Sequence, residues 1–240
     1  MKDWLLPDWP APANVHALTT TRSGGVSVGP YAAMNLGDHV GDDPDHVARN
    51  REILKAETGC SPLWLTQVHG VAIAVAGSAQ QGATADGAVS RLPGVAAAVM
   101  TADCLPVLLC DRAGTVVAAA HAGWRSLCAG VIEEAVAAMA VPPKEVLAWL
   151  GPAIGPESFE VGDEVRDAFL ARDPNAALAF RPARDKWLGD LYALARQRLT
   201  ALGVAGTWGG GLCTFRDGAR FYSFRRDGTT GRMASLVWLA

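Results

Sequence analysis

The chain has 240 residues and a mass of 25.1 kDa, a size that fits a single domain. Half of its residues are hydrophobic and 19% are charged, which supports a large core and argues against disorder. A formal net charge of −3, without a run of five or six like charges, gives no electrostatic footprint for nucleic acid or an acidic membrane surface. Small molecules are therefore the expected partners, and no protein partner is inferred. The N-terminal segment "MKDWLLPDWPAPANVHALTTTR" lacks the basic start and unbroken apolar stretch of a signal peptide. Nowhere do about 18 apolar residues run together, so no membrane span is expected. The five cysteines, Cys60, Cys104, Cys110, Cys128 and Cys213, are scattered and do not form a disulfide framework, which points to a reducing cytoplasm.

In chain order, "RSGGVSVGPYAAMNLGDHVGDDP" (22–44) is expected to be a long surface loop. Asp43, Pro44 and Gly59 then mark the start and end of a helix. The short apolar runs "PLWLTQVHG", "VAIAVAG", "GVAAAVM", "LPVLLCD" and "TVVAAAH" have the length of strands, and several are apolar on both faces, as in a buried sheet. After His121 the period changes. Leu127, Val131, Ala135 and Ala138 fall at helical spacing, and Pro142-Pro143 stops the helix. "VLAWLG" reads as a strand, and Val165, Phe169 and Leu170 predict a helix. Asp190 opens a further amphipathic helix that Gly203 ends. "RFYSF" and "SLVWLA" are expected as closing strands. The mixture of α and β lacks the regular alternation of a Rossmann or barrel protein.

Three residues at the ends of apolar runs carry potential chemistry: His69, Cys104 and His121. Two imidazoles and a thiolate form a three-ligand zinc set whose fourth position stays open to water or substrate, and zinc would bring the pKa of that water to roughly 7. They lie 35 and 17 residues apart, so no local ligand motif supports them. Two other readings stay open. Cys104 can be a buried structural thiol, or a nucleophile with His121 as base and Asp103 as orienter. Arg22, Arg125, Arg225 and Arg226 sit beside glycines or at element ends, where a guanidinium can grip phosphate or carboxylate; solvated surface charge is the competing reading for each. "RSGGVSVG" lacks the pattern of a P-loop. His39 and His46 flank a turn and are expected at the surface, whereas Trp124 is the tryptophan expected to line a pocket.

Together, "TQVHG", "TADCLPVLLCD" and "AAAHAGWRSL" resemble the YfiH-like family, also labelled multicopper polyphenol oxidoreductase, laccase-domain protein or peptidoglycan editing factor. The resemblance continues through "GGVSVGPYAAMNLGDHVGDDP", "GPAIGPESFEVGDEV", "DLYALARQRL" and "FYSFRRDGTTGRMASLVWL", and so covers nearly the whole chain. It implies one domain over residues 1–240, a layered α/β/β/α sandwich, and a metal, usually zinc, on His69, Cys104 and His121. It further implies purine nucleoside phosphorylase activity on adenosine, inosine and methylthioadenosine, with adenosine deaminase activity beside it. The chain departs from the pattern at Ser126 and Cys128, and Cys128 could add a thiol near the site.

A laccase needs several coppers held mainly by imidazole, and five histidines, two of them already used, cannot build that cluster. The single site could take copper in vitro, but polyphenol oxidation is set aside as the native role. For phosphorolysis, phosphate would attack the ribose C1′ while arginines such as Arg22, Arg125 or Arg226 neutralise it, with Asn35 also expected to bind substrate. For deamination at the purine C6, Asp103 is the expected proton shuttle. The competing enzyme is an amidase that removes L-serine from a muramic acid nucleotide, using the metal or Cys104. A non-catalytic zinc-binding module is the third class, disfavoured because all three ligand residues are present.

Overall fold

Two β-sheets stacked face to face carry most of the apolar runs. The computed structural model describes residues 3–240. The smaller sheet orders its strands Val15–Thr19, Met233–Leu239, Val95–Thr101 and Ser61–Leu63. The larger orders Gly206–Gly209, Val146–Leu150, Leu105–Asp111, Val117–Ala122, Gly87–Ser90 and Ile73–Val75. Parallel and antiparallel pairings mix in both.

The two-residue period of a strand assigns each side chain to a layer. In Leu105–Asp111, Leu108 and Cys110 face the other sheet, together with Ala97, Val99, Val117, Ala119 and Val237. Leu105, Val107 and Leu109 point the opposite way, toward helices. Both faces of the central strands are thus buried, which is why their sequences read as unbroken apolar runs.

Helix α1 (Pro44–Thr58) covers the smaller sheet, with Leu54 packed among Ala96, Ala98, Met100 and Leu236. The larger sheet is covered by α2 (Trp124–Ala129), α3 (Val131–Ala138), α4 (Asp163–Leu170) and α5 (Leu191–Leu202), through residues such as Leu127, Ile132, Phe169 and Leu199. The result is a mixed α/β fold in α/β/β/α layers. Each fully buried Leu, Ile or Phe side chain contributes about 1.5–3 kcal/mol. Helix ends follow the sequence signals. Asp43 accepts from the Asp45 N–H and Gly59 ends α1 at φ 68°; Asp190 accepts from the Ala193 N–H and Gly203 ends α5 at φ 78°.

Three expectations need correction. The helix foreseen after His121 is two helices, because Gly130 adopts φ 111° and redirects the chain as only glycine does readily. "RFYSF" is not a strand: Phe221 and Tyr222 are fully buried, and Ser223 accepts from the Arg226 N–H to cap the short helix α6 (Phe224–Asp227). Residues 22–44 are not wholly superficial. Met34, Asn35 and Leu36 are fully buried, and Asn50 of α1 donates to the carbonyls of Ala33 and Asn35, satisfying backbone that would otherwise be costly to bury. Among the described residues, no helix is long and apolar enough to cross a membrane.

Candidate metal centre

His121, on the strand Val117–Ala122, meets Cys104 and His69, from two connections, at one end of the layer between the sheets. His121 shares the strand parity of Val117 and Ala119, so it points into that layer; it is only 4% exposed. Cys104 ends the turn that joins Val95–Thr101 to Leu105–Asp111. His69 follows the short strand Leu65–Thr66 and adopts φ 60°, a left-handed conformation that a non-glycine residue holds only when its surroundings fix it.

Those surroundings are Asp86, which is fully buried. Its Oδ1 accepts from the His69 N–H at 2.9 Å and from His121 Nδ1 at 2.8 Å. Its Oδ2 accepts from the N–H groups of Val68 at 3.1 Å and Gly70 at 2.6 Å. One carboxylate therefore uses about all four of its lone-pair positions and holds both histidines. Because Nδ1 of His121 must donate to a carboxylate, its Nε2 is left free for a ligand, an arrangement recurrent around metal-binding histidines.

The three potential ligand atoms lie within 4.8 Å of one another, and Cys104 Sγ is 3.7 Å from His69 Nε2. Ligands on a tetrahedral zinc would stand roughly 3.5 Å apart at ordinary zinc–sulfur and zinc–nitrogen lengths. Two imidazoles and a thiolate also suit zinc chemically, so the residues present fit such an ion. Gly123 makes the approach possible. A Cβ there would come within 2.8 Å of His69 Cδ2 and 2.9 Å of Cys104 Sγ.

Charge reinforces the geometry. Burial by itself pushes the Cys104 thiol up, but the adjacent His121 charge and hydrogen bonds from His121 and His69 outweigh it and bring the thiol down to about 6. Burial pulls the His121 imidazole down, and the Cys104 charge with the hydrogen bonds to Asp86 and Cys104 lifts it to about 9. Asp86 is held below the ordinary carboxylate range: its burial is overcome by the His121 hydrogen bond and by the Gly70 and Val68 N–H groups. The His121 and His69 contacts thus favour the thiolate of Cys104, the form that binds metal.

The three residues open into a cavity of about 440 Å³ whose walls include Trp124, Phe159 and Phe224. Three arginines line it. Arg125 stacks on Trp124 at 4.4 Å, and Arg225 lies over Phe159 at 5.6 Å with Nη1 donating to the Glu160 carbonyl. Arg232 lies 6.0 Å from the Phe224 ring centre and is anchored through Nη1 on the carbonyls of Thr230 and Gly231.

Of Arg22, Asn35, Arg125 and Arg226, expected to bind substrate, only Arg125 lines this cavity, and Arg225, the other arginine noted as able to grip an anion, lines it too. Arg22 donates to the carbonyls of Ala32 and Gly218 and stacks on Tyr222. Arg226 donates to the carbonyls of Thr214, Phe215 and Phe221 and pairs with Asp227. Asn35 is fully buried, with its amide bonded to Gly37, Asp42 and Arg232. These three hold loops in place. Asp103 lines the cavity, but its carboxylate is occupied: Oδ1 accepts from Thr214 Oγ1 and Oδ2 from the Arg225 N–H, both at 2.6 Å. It adopts φ 90°, and these two bonds tie the turn that carries Cys104 to Thr214 and to the backbone of Arg225. Cys128 is also corrected, since its thiol packs in the helical layer against the Ala168 carbonyl.

Sequence reasoning missed Asp86, Arg232 and the cavity position of His39. The available signals were an acid in "ATADGAV", a lone arginine in "TTGRM" and the turn "LGDHVG". Trp124 lines the cavity as expected.

Comparison with known proteins agrees over the full length. The chain is 57% identical over 241 residues to a purine nucleoside phosphorylase of Pseudomonas aeruginosa, covering 100% of this chain and 99% of the relative. It is 54% identical over 242 residues to the purine nucleoside phosphorylase YfiH of Escherichia coli, covering 100% of each. Among solved structures, a Neisseria meningitidis protein superimposes with a TM-score of 0.95 at 54% identity, covering 99% of each chain. YlmD from Geobacillus stearothermophilus gives 0.92 at 33%, covering 98% of this chain and 96% of the other. With the family model matching residues 16–240, the chain belongs to the YfiH-like family, described as multi-copper polyphenol oxidoreductase laccase.

Proposed function

We propose that this protein is a cytoplasmic, zinc-dependent purine nucleoside phosphorylase acting on adenosine, inosine and methylthioadenosine, with adenosine deaminase activity in the same cavity. The observation that carries the proposal is the joint placement of His69, Cys104 and His121 with three cavity-lining arginines between aromatic walls. Close relatives that bear the name purine nucleoside phosphorylase support it.

A zinc ion held by His69 Nε2, Cys104 Sγ and His121 Nε2 would supply Lewis-acid polarisation of a bound oxygen or nitrogen. Arg125, Arg225 and Arg232 bind phosphate and align it with the ribose C1′, a geometry whose entropic advantage is large when the reacting atoms are held in near-attack position. Phosphate oxygen bonds to C1′ as the bond to purine N9 breaks. Trp124, Phe159 and Phe224 offer faces for the flat base and exclude water around it. Asp86 keeps both histidines in register, and Asp103 keeps Cys104 and Arg225 in register.

A second reading draws on the low-lying Cys104 thiol. With His121 and Asp86 it forms a nucleophile–base–orienter series suited to amide hydrolysis, in which Asp86 takes the place foreseen for Asp103. A product assay separates the two. With adenosine and inorganic phosphate we expect adenine and ribose 1-phosphate, with inosine and hypoxanthine marking deamination. Hydrolysis of a muramyl-L-serine nucleotide without release of base from any nucleoside would overturn the phosphorylase reading.

A further inference from the structure

Phosphorolysis of a purine nucleoside needs a proton as well as a phosphate, because the departing base carries away the electron pair of the C1′–N9 bond. Besides its arginines, the cavity lining contains five titratable side chains: His39, His69, Asp103, Cys104 and His121. His69, Cys104 and His121 are the metal ligands. Asp103 has each carboxylate oxygen engaged at 2.6 Å. Gln67, also in the lining, is fixed by both ends of its amide to the Met100 backbone, and the arginines do not release protons.

His39 is left, and its placement is built rather than incidental. Its Nδ1 lies 3.4 Å from Asp38 Oδ1, and Asp38 Oδ2 lies 3.1 Å from Arg51 Nη2. Arg51 is itself clamped, stacking on Trp64 at 4.5 Å and donating through Nε and Nη2 to the Leu36 carbonyl. The series Arg51–Asp38–His39 thus runs from helix α1 to the cavity rim. A carboxylate facing Nδ1 favours the ring form that donates there, which leaves Nε2 as the atom for proton exchange with a bound base. The ring remains 54% exposed and lines both the metal cavity and a neighbouring cleft. The charged groups facing it are Asp38 on its own loop, Arg51 on α1, and Arg125, Arg225 and Arg232 in the cavity it shares.

We infer that His39 is the general acid of phosphorolysis, delivering a proton from Nε2 to N7 of the leaving purine. The inference rests on the phosphorylase reading above. Phosphate oxygen forms the bond to C1′, the C1′–N9 pair passes into the purine ring, and the Nε2 proton neutralises the ring at N7. The imidazole is then recharged by the proton that the phosphate gives up on becoming an ester.

A substrate that needs no such proton tests this directly. 7-Methylinosine carries its positive charge already, and its base leaves as a neutral molecule. His39→Gln and His39→Asn are expected to lower kcat on inosine with inorganic phosphate by about 10²–10⁴-fold, the usual range for a lost general acid. On 7-methylinosine the same variants should stay within a few fold of the parent, with metal content and melting temperature unchanged. An equal loss on both nucleosides, or no loss on inosine, overturns the role of His39. A parent enzyme that phosphorolyses neither nucleoside removes the phosphorylase reading itself, and the role of His39 with it.

Discussion

Cys104→Ser is expected to lose most of its bound metal and most of its activity, whereas Cys110→Ser keeps both. The two thiols sit on one stretch of ten residues, "TADCLPVLLC", and differ in what surrounds them. Cys104 opens into the cavity 3.7 Å from His69 Nε2, and its thiol is brought down to about 6. Serine has nearly the same shape, but its hydroxyl stays protonated at neutral pH and is a poor zinc ligand. Affinity should fall by at least the 10–100-fold that losing a supporting contact around a metal can cost. Cys110 is fully buried between the sheets, where burial and the neighbouring Asp111 charge push its thiol up to about 12. A serine there leaves a hydroxyl without a partner, at a cost to stability of about 1–3 kcal/mol, and leaves the ligands untouched. Metal content per chain and turnover of inosine, measured on both variants, check the contrast. Equal losses in the two would deny Cys104 its special place.

Asp86→Asn is expected to weaken metal binding by about 10–100-fold and to lower stability at the same time. The carboxylate accepts from three backbone N–H groups and from His121 Nδ1. An amide replaces one acceptor oxygen with a donor, which then faces N–H groups instead of matching them. Breaking a buried charged pair on one side costs about 3–5 kcal/mol, and the left-handed turn at His69 loses its restraint. Competition with a chromogenic chelator reads the affinity, and thermal melting of the metal-free chain reads the stability. Wild-type affinity in a folded Asp86→Asn chain would show that the histidines hold their positions without it.

The main helices and strands were legible because local signals agreed with tertiary demand, whereas their α/β/β/α layering followed only from the family resemblance. Asp43, Pro44 and Gly59 bound α1, Asp190 and Gly203 bound α5, and the doubly apolar runs became central strands. Where tertiary contacts overrode local pattern, sequence reading failed. Gly130 breaks a continuous helical period because the chain must turn there. Phe221 and Tyr222 have strand-like character yet serve as irregular core. The candidate ligands could be named from strand ends and motif, but Asp86 acts through contacts 16 to 35 residues away, which no spacing rule exposes. Arg225 and Arg226 show the same limit at its finest. They are adjacent on a helix of four residues, too short for periodicity to decide which one faces the cavity, and the structure turns Arg225 toward it and Arg226 onto carbonyls.

If His69, Cys104 and His121 form the working centre, release of base depends on the metal they hold. Purified protein should carry about one zinc per chain. Removing the zinc with a chelator should abolish phosphorolysis of inosine, and adding zinc back should restore it in proportion to the metal bound. A metal-free chain that cleaves inosine at the full rate would contradict the assignment of His69, Cys104 and His121 as the working centre.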